Sequence, residues 1–342
     1  MLTASVDKIY TDSYVRTKVA DGYLYPEATQ DLINKLEEGR LFITYTGHGG
    51  VKGLTNEGLF REEHIKSLKN IDNMPFVHTG TCEFSKFDDP MYVSAGEQLF
   101  LNPNGGAIGM ITTTRPTQIS PNYSVGLYLY KAMFKDGKIR DITFGEMIRM
   151  VKATSNSNSP NYLCYVMFGD PALRLAYPEK DIKINEIIPS DNDSIHVLSA
   201  MSHFVVRGEI MNDNQRDVTF NGIIYPKMFD SESDFSTLDN DNNGSVYNFS
   251  FFKNVVYEGK AEVKDGTFEF SVVIPKSLTH QDNNARLSMY AVDTVDYSVA
   301  SSRYDNFVIE GVDENVHVDD EGPAIEMLWT FTLASIVGVI VV

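Results

Sequence analysis

The sequence predicts a protein of two parts, in which an α/β domain is followed by an all-β domain. Over residues 1–178, strand-like runs alternate with helix-like runs, which indicates a parallel sheet covered by helices on both faces. Beyond that point the apolar runs are short, alternate with polar residues and are separated by turn residues, as is typical of an antiparallel β-sandwich. The charge changes at the same place, because residues 1–180 hold 19 Lys/Arg and 20 Asp/Glu whereas residues 181–342 hold 10 and 27. We therefore expect domains over 1–180 and 181–315, with 316–342 as the start of a further β segment that ends in an apolar tail.

The first part begins with a clear helix signal. Pro26 suits a first helical turn and Gly39 suits a helix end, so a helix is predicted between them. Ala28, Leu32 and Leu36 recur every four residues along it and share one face. The remaining predicted elements of this part are a strand at 40–46, a helix at 61–70, a strand at 74–80, a helix at 92–100, a strand at 105–114, helices at 121–135 and 144–154, and a short apolar segment at 162–168.

The second part is predicted from runs such as "SHFVVRGEIM", "KAEVKDGTFEFSVVIP" and "ARLSMYAVD", which alternate in the manner of half-buried strands. Asp265 and Gly266 separate two such runs, and an Asp-Gly pair in that position is a strong hairpin signal. No internal repeat of fixed period is visible in the sequence.

Composition excludes several functional classes. The formal net charge of −18 argues against nucleic acid as a partner, because surfaces that bind nucleic acid are basic. Two cysteines, Cys82 and Cys164, do not make a disulfide framework, and the sequence has no CxxC pair of the zinc type. No basic start followed by an apolar run is present at the N-terminus, so no signal peptide is visible.

The C-terminal stretch "LWTFTLASIVGVIVV" (328–342) is uncharged and rich in β-branched residues. Its 15 residues fall short of the roughly 20 that a membrane-spanning helix needs. We interpret it as a core strand cut off from its partners, or as the edge of a fragment, in preference to a membrane anchor.

The segment "LFITYTGHGG" (41–50) places a histidine just beyond a strand, between glycines. Glycine permits a tight turn and the close approach of another chain, so His48 is expected to be exposed at the strand end. Considered alone, this motif favours a loop histidine that caps or hydrogen-bonds locally.

Cys82 follows the next predicted strand in "HTGTCEF". If the two strands are parallel neighbours, His48 and Cys82 leave the sheet at the same carboxyl edge, where open α/β sheets place their functional sites. A histidine can activate a cysteine there and then protonate a leaving amine, because the thiolate is the nucleophile. The alternative is that Cys82 is a small buried hydrophobic residue, and the residues alone leave both possibilities open.

Four motifs taken together, "YTGHGG", "TGTCEF", "NGGAIGMITTTRP" and "FGDPALRLAYP", resemble the gingipain-type family of cysteine peptidases, whose fold is caspase-like. The likeness extends over about residues 9–327. It implies that His48 and Cys82 form a catalytic dyad and that the backbone N–H groups of Gly49 and Cys82 are the oxyanion donors.

The resemblance also implies a more specific fold. It implies a caspase-like parallel sheet with helices on both faces, N-terminally incomplete because family members carry a further α/β repeat before the dyad. An immunoglobulin-like β-sandwich is expected to follow it. Family members continue into more β structure after "DDEGPAIEM", where this chain turns into the apolar tail, so we expect a truncated product or a gene fragment.

Within the family, the likeness is greatest to the sortase of the type IX secretion system. This implies a cysteine peptidase or transpeptidase that cleaves C-terminal secretion signals from cargo proteins through an acyl-enzyme. A lipopolysaccharide amine is the implied acceptor, and other outer-membrane secretion components are further possible partners at the cell surface. The competing interpretation is an inactive, truncated surface or interaction module that retains the peptidase scaffold.

Two other residue groups have spacings that resemble metal sites. His78 and Cys82 have a zinc-like spacing, with His64 nearby, but strand residues four apart lie about 13 Å from each other, so we expect no metal and no other cofactor. In "DNDNNGS" (239–245) an acidic turn is favoured over a calcium loop, because the twelfth position is Ser250.

Glu83, Asp88 and Asp89 follow the predicted nucleophile and are candidates to line a substrate pocket, with a solvated loop as the equal alternative. Cys164 lies in an apolar run and is expected to belong to the core.

Overall fold

The computed structural model describes residues 5–135, 138–154, 160–189, 197–275, 284–312 and 337–341. The chain divides into two compact units. The first unit comprises the described residues within Met1–Ala176, Phe235–Phe249 and Thr332–Val342. The second unit comprises those within Tyr177–Asp234 and Ser250–Phe331.

The strands are numbered in chain order. Those up to residue 168 are β1 Ser5–Ile9, β2 Thr17–Val19, β3 Gly22–Leu24, β4 Phe42–Thr46, β5 Gly49–Gly50, β6 Gly53–Leu54, β7 Phe60–Arg61, β8 Phe76–Gly80, β9 Gly109–Thr113, β10 Phe134–Lys135, β11 Lys138–Ile139 and β12 Tyr165–Phe168. The later strands are β13 Lys180–Pro189, β14 Val197–Ala200, β15 His203–Asn212, β16 Gln215–Arg216, β17 Gly222–Phe229, β18 Ser233–Ser236, β19 Asn248–Phe251, β20 Val255–Glu258, β21 Ala261–Lys264, β22 Thr267–Val273, β23 Ala285–Asp293, β24 Val299–Val312 and β25 Val337–Val341.

The helices are numbered in the same way. The α-helices are α1 Pro26–Glu37, α2 Glu62–Ser67, α3 Ala95–Phe100, α4 Ile119–Met133, α5 Phe144–Thr154 and α6 Pro160–Leu163, and 3-10 turns form at Thr11–Ser13 and Ile71–Asn73.

The main sheet of the first unit has the strand order β1-β25-β4-β8-β9-β12. Strands β8 and β9 are buried at every position, as expected for central strands covered on both faces. The predicted α/β class is confirmed, but the sheet is mixed and not wholly parallel, because β12 runs antiparallel to β9. The chain enters β12 at the edge where β9 ends, and the N–H of Thr114 bonds to the carbonyl of Cys164 at 2.9 Å.

The helices of this unit follow their sequence signals with small shifts. Helix α1 begins with Pro26 in its first turn and buries Ala28, Leu32 and Leu36, as predicted. Helix α3 begins at Ala95 and not at residue 92, because Ser94 caps it and Glu97 bonds back to the Ser94 N–H at 2.8 Å.

Helix α2 is shorter than predicted. It ends at Ser67, because Leu68 turns into extended backbone and is completely buried. Asn70 is then held by the backbone of Gly106, whose N–H it accepts at 2.7 Å.

The apolar C-terminal stretch contributes a strand to the first unit. The backbone of β25 lies between β1 and β4 and is parallel to both. The remainder of the stretch, 328–336 and residue 342, lies outside the described residues. Among the described helices, none has the length and apolar character that crossing a membrane requires.

The second unit contains one ten-stranded sheet, of which seven strands form a closed ring, so the prediction of an immunoglobulin-like sandwich is not confirmed. The ring runs β13-β15-β22-β21-β17-β23-β24 and returns to β13 through the parallel pairing of Lys180 with Ala300 and Asp181 with Ser301. Alternating burial, as along β15, shows only that one face is inside, which holds for a barrel and for a sandwich alike. The pairing of β13 with β24 that closes the ring joins residues far apart in sequence, so no local sequence pattern predicts it.

The predicted hairpin of this unit is confirmed. Asp265 and Gly266 both have positive φ, at 49° and 71°, and Lys264 pairs with Thr267 across them. These are the angles that a type I′ hairpin turn requires.

Residues 235–249 group with the first unit, within the range 181–315 that was expected to form one domain. The Asp12 carboxylate accepts the N–H groups of Asp239 at 3.1 Å and Asn240 at 2.9 Å. The Asp239 carboxylate in turn accepts those of Asn243 and Gly244, so its oxygens close an acidic turn.

Candidate active site

His48 and Cys82 leave neighbouring strands at matching positions. Thr46 of β4 pairs with Gly80 of β8 at the end of the parallel ladder, and each candidate residue follows two positions later. The Gly47 N–H extends the contact by bonding to the Gly80 carbonyl at 3.3 Å. Both residues therefore emerge at the carboxyl edge of the sheet, side by side.

The glycines around His48 have a steric explanation. A Cβ on Gly49 would lie 2.5 Å from Oγ1 of Thr81, and a Cβ on Gly47 would lie 2.6 Å from the Tyr45 hydroxyl. The backbone of Gly49 is thus packed directly against the residue that precedes Cys82.

The His48 backbone is held firmly while its side chain is exposed. Its carbonyl accepts the hydroxyl of buried Tyr45 at 2.5 Å and the N–H of Thr55 at 2.8 Å. Beyond it, β5 pairs with β6 and β6 with β7 in a small antiparallel sheet. The imidazole is therefore exposed to solvent on a turn whose backbone is fixed by hydrogen bonds.

The half-buried Cys82 thiol is bound by the loop that follows β9. Its Sγ accepts the Thr117 N–H at 3.4 Å and lies 3.4 Å from the Thr117 carbonyl oxygen, to which it donates. In the described part of the chain, no hydrogen bond joins this thiol to His48. The two groups share an edge of the sheet, and the thiol is bound to Thr117.

Thr117 is the residue near Cys82 that sequence reasoning missed. Its hydroxyl donates to the Thr81 carbonyl at 2.9 Å, and the Thr113 hydroxyl donates to the same oxygen at 2.6 Å. The available signal was the hydroxyl-rich "TTTRPT" (112–117), which covers the end of β9 and the loop after it. This strand ends at the same edge of the sheet as those that precede His48 and Cys82.

The three acidic residues after Cys82 are engaged in ion pairs. Lys86 lies 3.2 Å from the Glu83 carboxylate and 3.4 Å from that of Asp89. Asp88 forms a two-pronged pair with Arg115, and the Arg115 hydrogen bonds hold the pKa of the Asp88 carboxyl below its usual value. Each of the three carboxylates that follow Cys82 is thus paired with a cation, and Glu83 and Asp89 share Lys86.

Cys164 does not lie in the core, so that prediction is wrong. It is half-buried in the turn between α6 and β12, where its thiol donates to the Pro160 carbonyl at 3.3 Å. The apolar run that suggested a core position is divided between the end of a helix and the start of an edge strand.

The two histidines weighed for a metal lie in different surroundings. His78 is completely buried, bonds through Nδ1 to the Thr44 hydroxyl at 2.8 Å, and has its pKa lowered to about 4 by burial. His64 Nδ1 accepts the Arg61 N–H at 3.1 Å at the start of α2. The described residues contain no group of three His, Cys, Asp or Glu side chains arranged to hold a metal ion.

Comparison with solved structures finds proteins of the gingipain type. The dimeric latent PorU of Porphyromonas gingivalis is 23% identical, with 89% of this chain and 27% of that chain covered and a TM-score of 0.38. The complex of the pro- and mature domains of RgpB from Porphyromonas gingivalis is 17% identical, with 82% and 57% covered and a TM-score of 0.39. The Arg-specific cysteine proteinase gingipain R (RgpB) is 16% identical, with 90% and 67% covered and a TM-score of 0.40.

The chain spans about a quarter of the length of PorU. A search of curated proteins finds no match. The sequence profile of peptidase family C25, in contrast, matches residues 2–176, slightly more than half of the 342 residues, and this stretch contains both His48 and Cys82. The resemblance seen in the motifs is therefore confirmed, and the chain belongs to peptidase family C25.

Proposed function

We propose that this chain acts as a cysteine peptidase or transpeptidase with Cys82 as nucleophile and His48 as its acid-base partner. The observation that carries the proposal is their equivalent position, each two residues beyond the paired Thr46 and Gly80 on neighbouring parallel strands. Neighbouring strands lie about 4.8 Å apart, which is a distance that two side chains can close.

The proposed reaction proceeds through an acyl-enzyme. His48 takes the thiol proton, the Cys82 thiolate attacks the peptide carbonyl, and His48 gives the proton to the departing amine. The N–H groups of Gly49 and Cys82 are the proposed donors to the oxyanion that forms on the carbonyl oxygen. Water or an amine then attacks the thioester and releases Cys82.

The dyad must close for this reaction to begin. Cys82 is bound to Thr117 and His48 is exposed, so the Sγ has to turn from the Thr117 carbonyl toward the imidazole. Catalytic hydrogen bonds are often long or poorly aligned without substrate and tighten when it binds. The open arrangement is thus compatible with a resting enzyme.

We propose further that the substrates are cargo proteins of the type IX secretion system, from which a C-terminal secretion signal is removed. Resemblance of the motifs around His48 and Cys82 to those of the secretion sortase supports this assignment. A lipopolysaccharide amine as acceptor, contact with outer-membrane secretion components and a location at the cell surface belong to the same proposal.

The second candidate function is a non-catalytic surface or interaction module. The observation that favours it is the engagement of Cys82 with Thr117, since a thiol that never leaves this partner would not react.

The two functions are distinguished by incubating the chain with a protein that carries a type IX C-terminal signal, with and without a soluble primary amine. Mass spectrometry identifies the new C-terminus as a free acid or as an amide of the added amine. Cleavage that disappears in both Cys82→Ala and His48→Ala supports the enzyme. Absence of cleavage, together with Cys82 alkylation that His48→Ala does not change, supports the inert module.

A further inference from the structure

Three consecutive residues around the nucleophile are bound by the loop that follows β9. The Thr81 carbonyl accepts two threonine hydroxyls, the Cys82 Sγ contacts the backbone of Thr117, and the Glu83 N–H bonds to the Arg115 carbonyl at 3.4 Å. Glu83 has a φ of +51°, in the left-handed region that a non-glycine residue rarely adopts. The loop therefore stabilises an unusual backbone at the candidate nucleophile.

Thr117 makes more of these contacts than any other residue of that loop described above. Its N–H and its carbonyl oxygen both lie 3.4 Å from the Cys82 Sγ, and its hydroxyl lies 2.9 Å from the Thr81 carbonyl oxygen. The hydrogen bond from the Thr117 hydroxyl fixes the Thr117 backbone beside the Cys82 thiol. Loss of that one bond would loosen both backbone contacts with Sγ.

We propose that Thr117 is a positioning residue for the Cys82 nucleophile, an inference that rests on the proposed catalytic role of Cys82. In the resting thiol, the S–H donates to the Thr117 carbonyl. When His48 takes that proton, the sulfur keeps the electron pair, and the Thr117 N–H remains as a donor to the thiolate.

The two contacts change differently when the thiol loses its proton. The N–H contact strengthens, because a hydrogen bond to an ionised acceptor is roughly twice as strong as one between neutral groups. The carbonyl contact is lost with the proton. The Thr117 N–H is therefore the contact that fixes the direction of the sulfur as it attacks.

The test is the rate of Cys82 alkylation by iodoacetamide in the full chain, resolved by mass spectrometry from alkylation of Cys164. Thr117→Val removes the hydroxyl and keeps the shape of the side chain. We expect it to slow alkylation of Cys82 at pH 7 by roughly 3- to 10-fold, because the donor that strengthens its bond to the attacking thiolate is no longer held beside Sγ. Thr117→Ser, which restores a hydroxyl, should return the rate most of the way.

Thr114→Val is the matched control. Its hydroxyl donates to the Cys164 carbonyl at 3.2 Å, so the variant removes the same kind of bond from the same loop without touching residues 81–83. The groups that titrate or carry charge on the facing segments, His48, Glu83, Arg115 and Tyr165, are unchanged in every variant. Any change confined to Thr117→Val therefore comes from its own hydroxyl.

The proposal is overturned if Thr117→Val alkylates at the wild-type rate, if Thr117→Ser does not restore the rate, or if Thr114→Val slows Cys82 equally. Thermal unfolding checks that each variant folds, and Thr117→Ala replaces the valine variant if that one does not. Because alkylation needs no peptide substrate, failure to cleave cargo would refute the proposed function and leave this result intact.

Discussion

His48 and Cys82 occupy equivalent positions on adjacent parallel strands, each two residues beyond the last pair of the ladder between β4 and β8. This relationship brings a histidine in a glycine turn and a cysteine 34 residues later to one edge of the sheet, as the proposed dyad requires. Parallel neighbours end at one edge, so residues at the same offset from a paired position lie next to each other. The first two predictions depend on it directly.

Cys82 should alkylate about tenfold faster than Cys164 near neutral pH, because a neighbouring imidazole can take its proton. The Cys164 thiol instead donates to the Pro160 carbonyl in a turn. His48→Ala should slow Cys82 and leave Cys164 unchanged. Peptide mapping after a timed iodoacetamide pulse measures both rates, and equal rates at the two cysteines would refute an activated pair.

Gly49→Ala should destabilise the His48 turn, because the new methyl group would lie 2.5 Å from Thr81 Oγ1 and 3.2 Å from the Gly53 carbonyl. Overpacking of this kind typically costs about 1–3 kcal/mol of folding free energy. It should also slow alkylation of Cys82, since Thr81 precedes it. Gly50→Ala is the control, because no atom lies within 4 Å of a Cβ at that position. Equal effects on denaturant unfolding from the two variants would contradict the prediction.

The buried imidazole of His78 should make the fold sensitive to acid. Burial lowers its folded pKa from 6.5 to about 4, so the unfolded chain binds a proton at a higher pH than the folded chain does. The free energy of unfolding is therefore unaffected by His78 above pH 6.5 and falls as the pH drops toward 4. The loss that this residue contributes is up to about 3 kcal/mol.

Denaturant unfolding at a series of pH values checks this prediction. In His78→Gln the loss of stability between pH 6.5 and 4 should be smaller by that amount, whatever the stability of the variant at neutral pH. His203→Gln is the control, because His203 is exposed at the start of β15. Parallel pH profiles for the wild type and His78→Gln would show that His78 is not responsible.

Asp88→Asn should change the choice of substrate without changing the melting temperature. The Asp88–Arg115 pair is exposed, so it contributes little to stability. Without the carboxylate, Arg115 becomes available to an acidic side chain of a peptide, and its backbone already bonds to Glu83 beside the nucleophile.

Peptides with acidic residues near the scissile bond should therefore be cleaved relatively faster by the variant, as measured with a mixed peptide library. Asp141→Asn provides the control, because it breaks another exposed pair of an aspartate with an arginine, Arg174. An unchanged preference in Asp88→Asn would mean that Arg115 does not meet the substrate.

Several features of this protein follow from local sequence. The four-residue spacing of Ala28, Leu32 and Leu36 predicts the buried face of α1. Asp265-Gly266 predicts the hairpin between β21 and β22. Each depends on side-chain periodicity or on the backbone angles of one or two residues, which neighbouring positions determine. The placement of His48 and Cys82 just beyond two strands was visible for the same reason.

Other features were decided by the tertiary structure. The antiparallel direction of β12, the closure of the barrel between Lys180 and Ala300, and the contact of Thr117 with Cys82 each join segments far apart in the chain. Glu83, Asp88 and Asp89 were recognisable as acidic residues near Cys82, but their pairing with Lys86 and Arg115 depends on how two loops fold together. Local patterns specify which face of a strand is buried and where it ends. Which strand lies beside it, and which loop covers its end, is set by the packing of the whole unit.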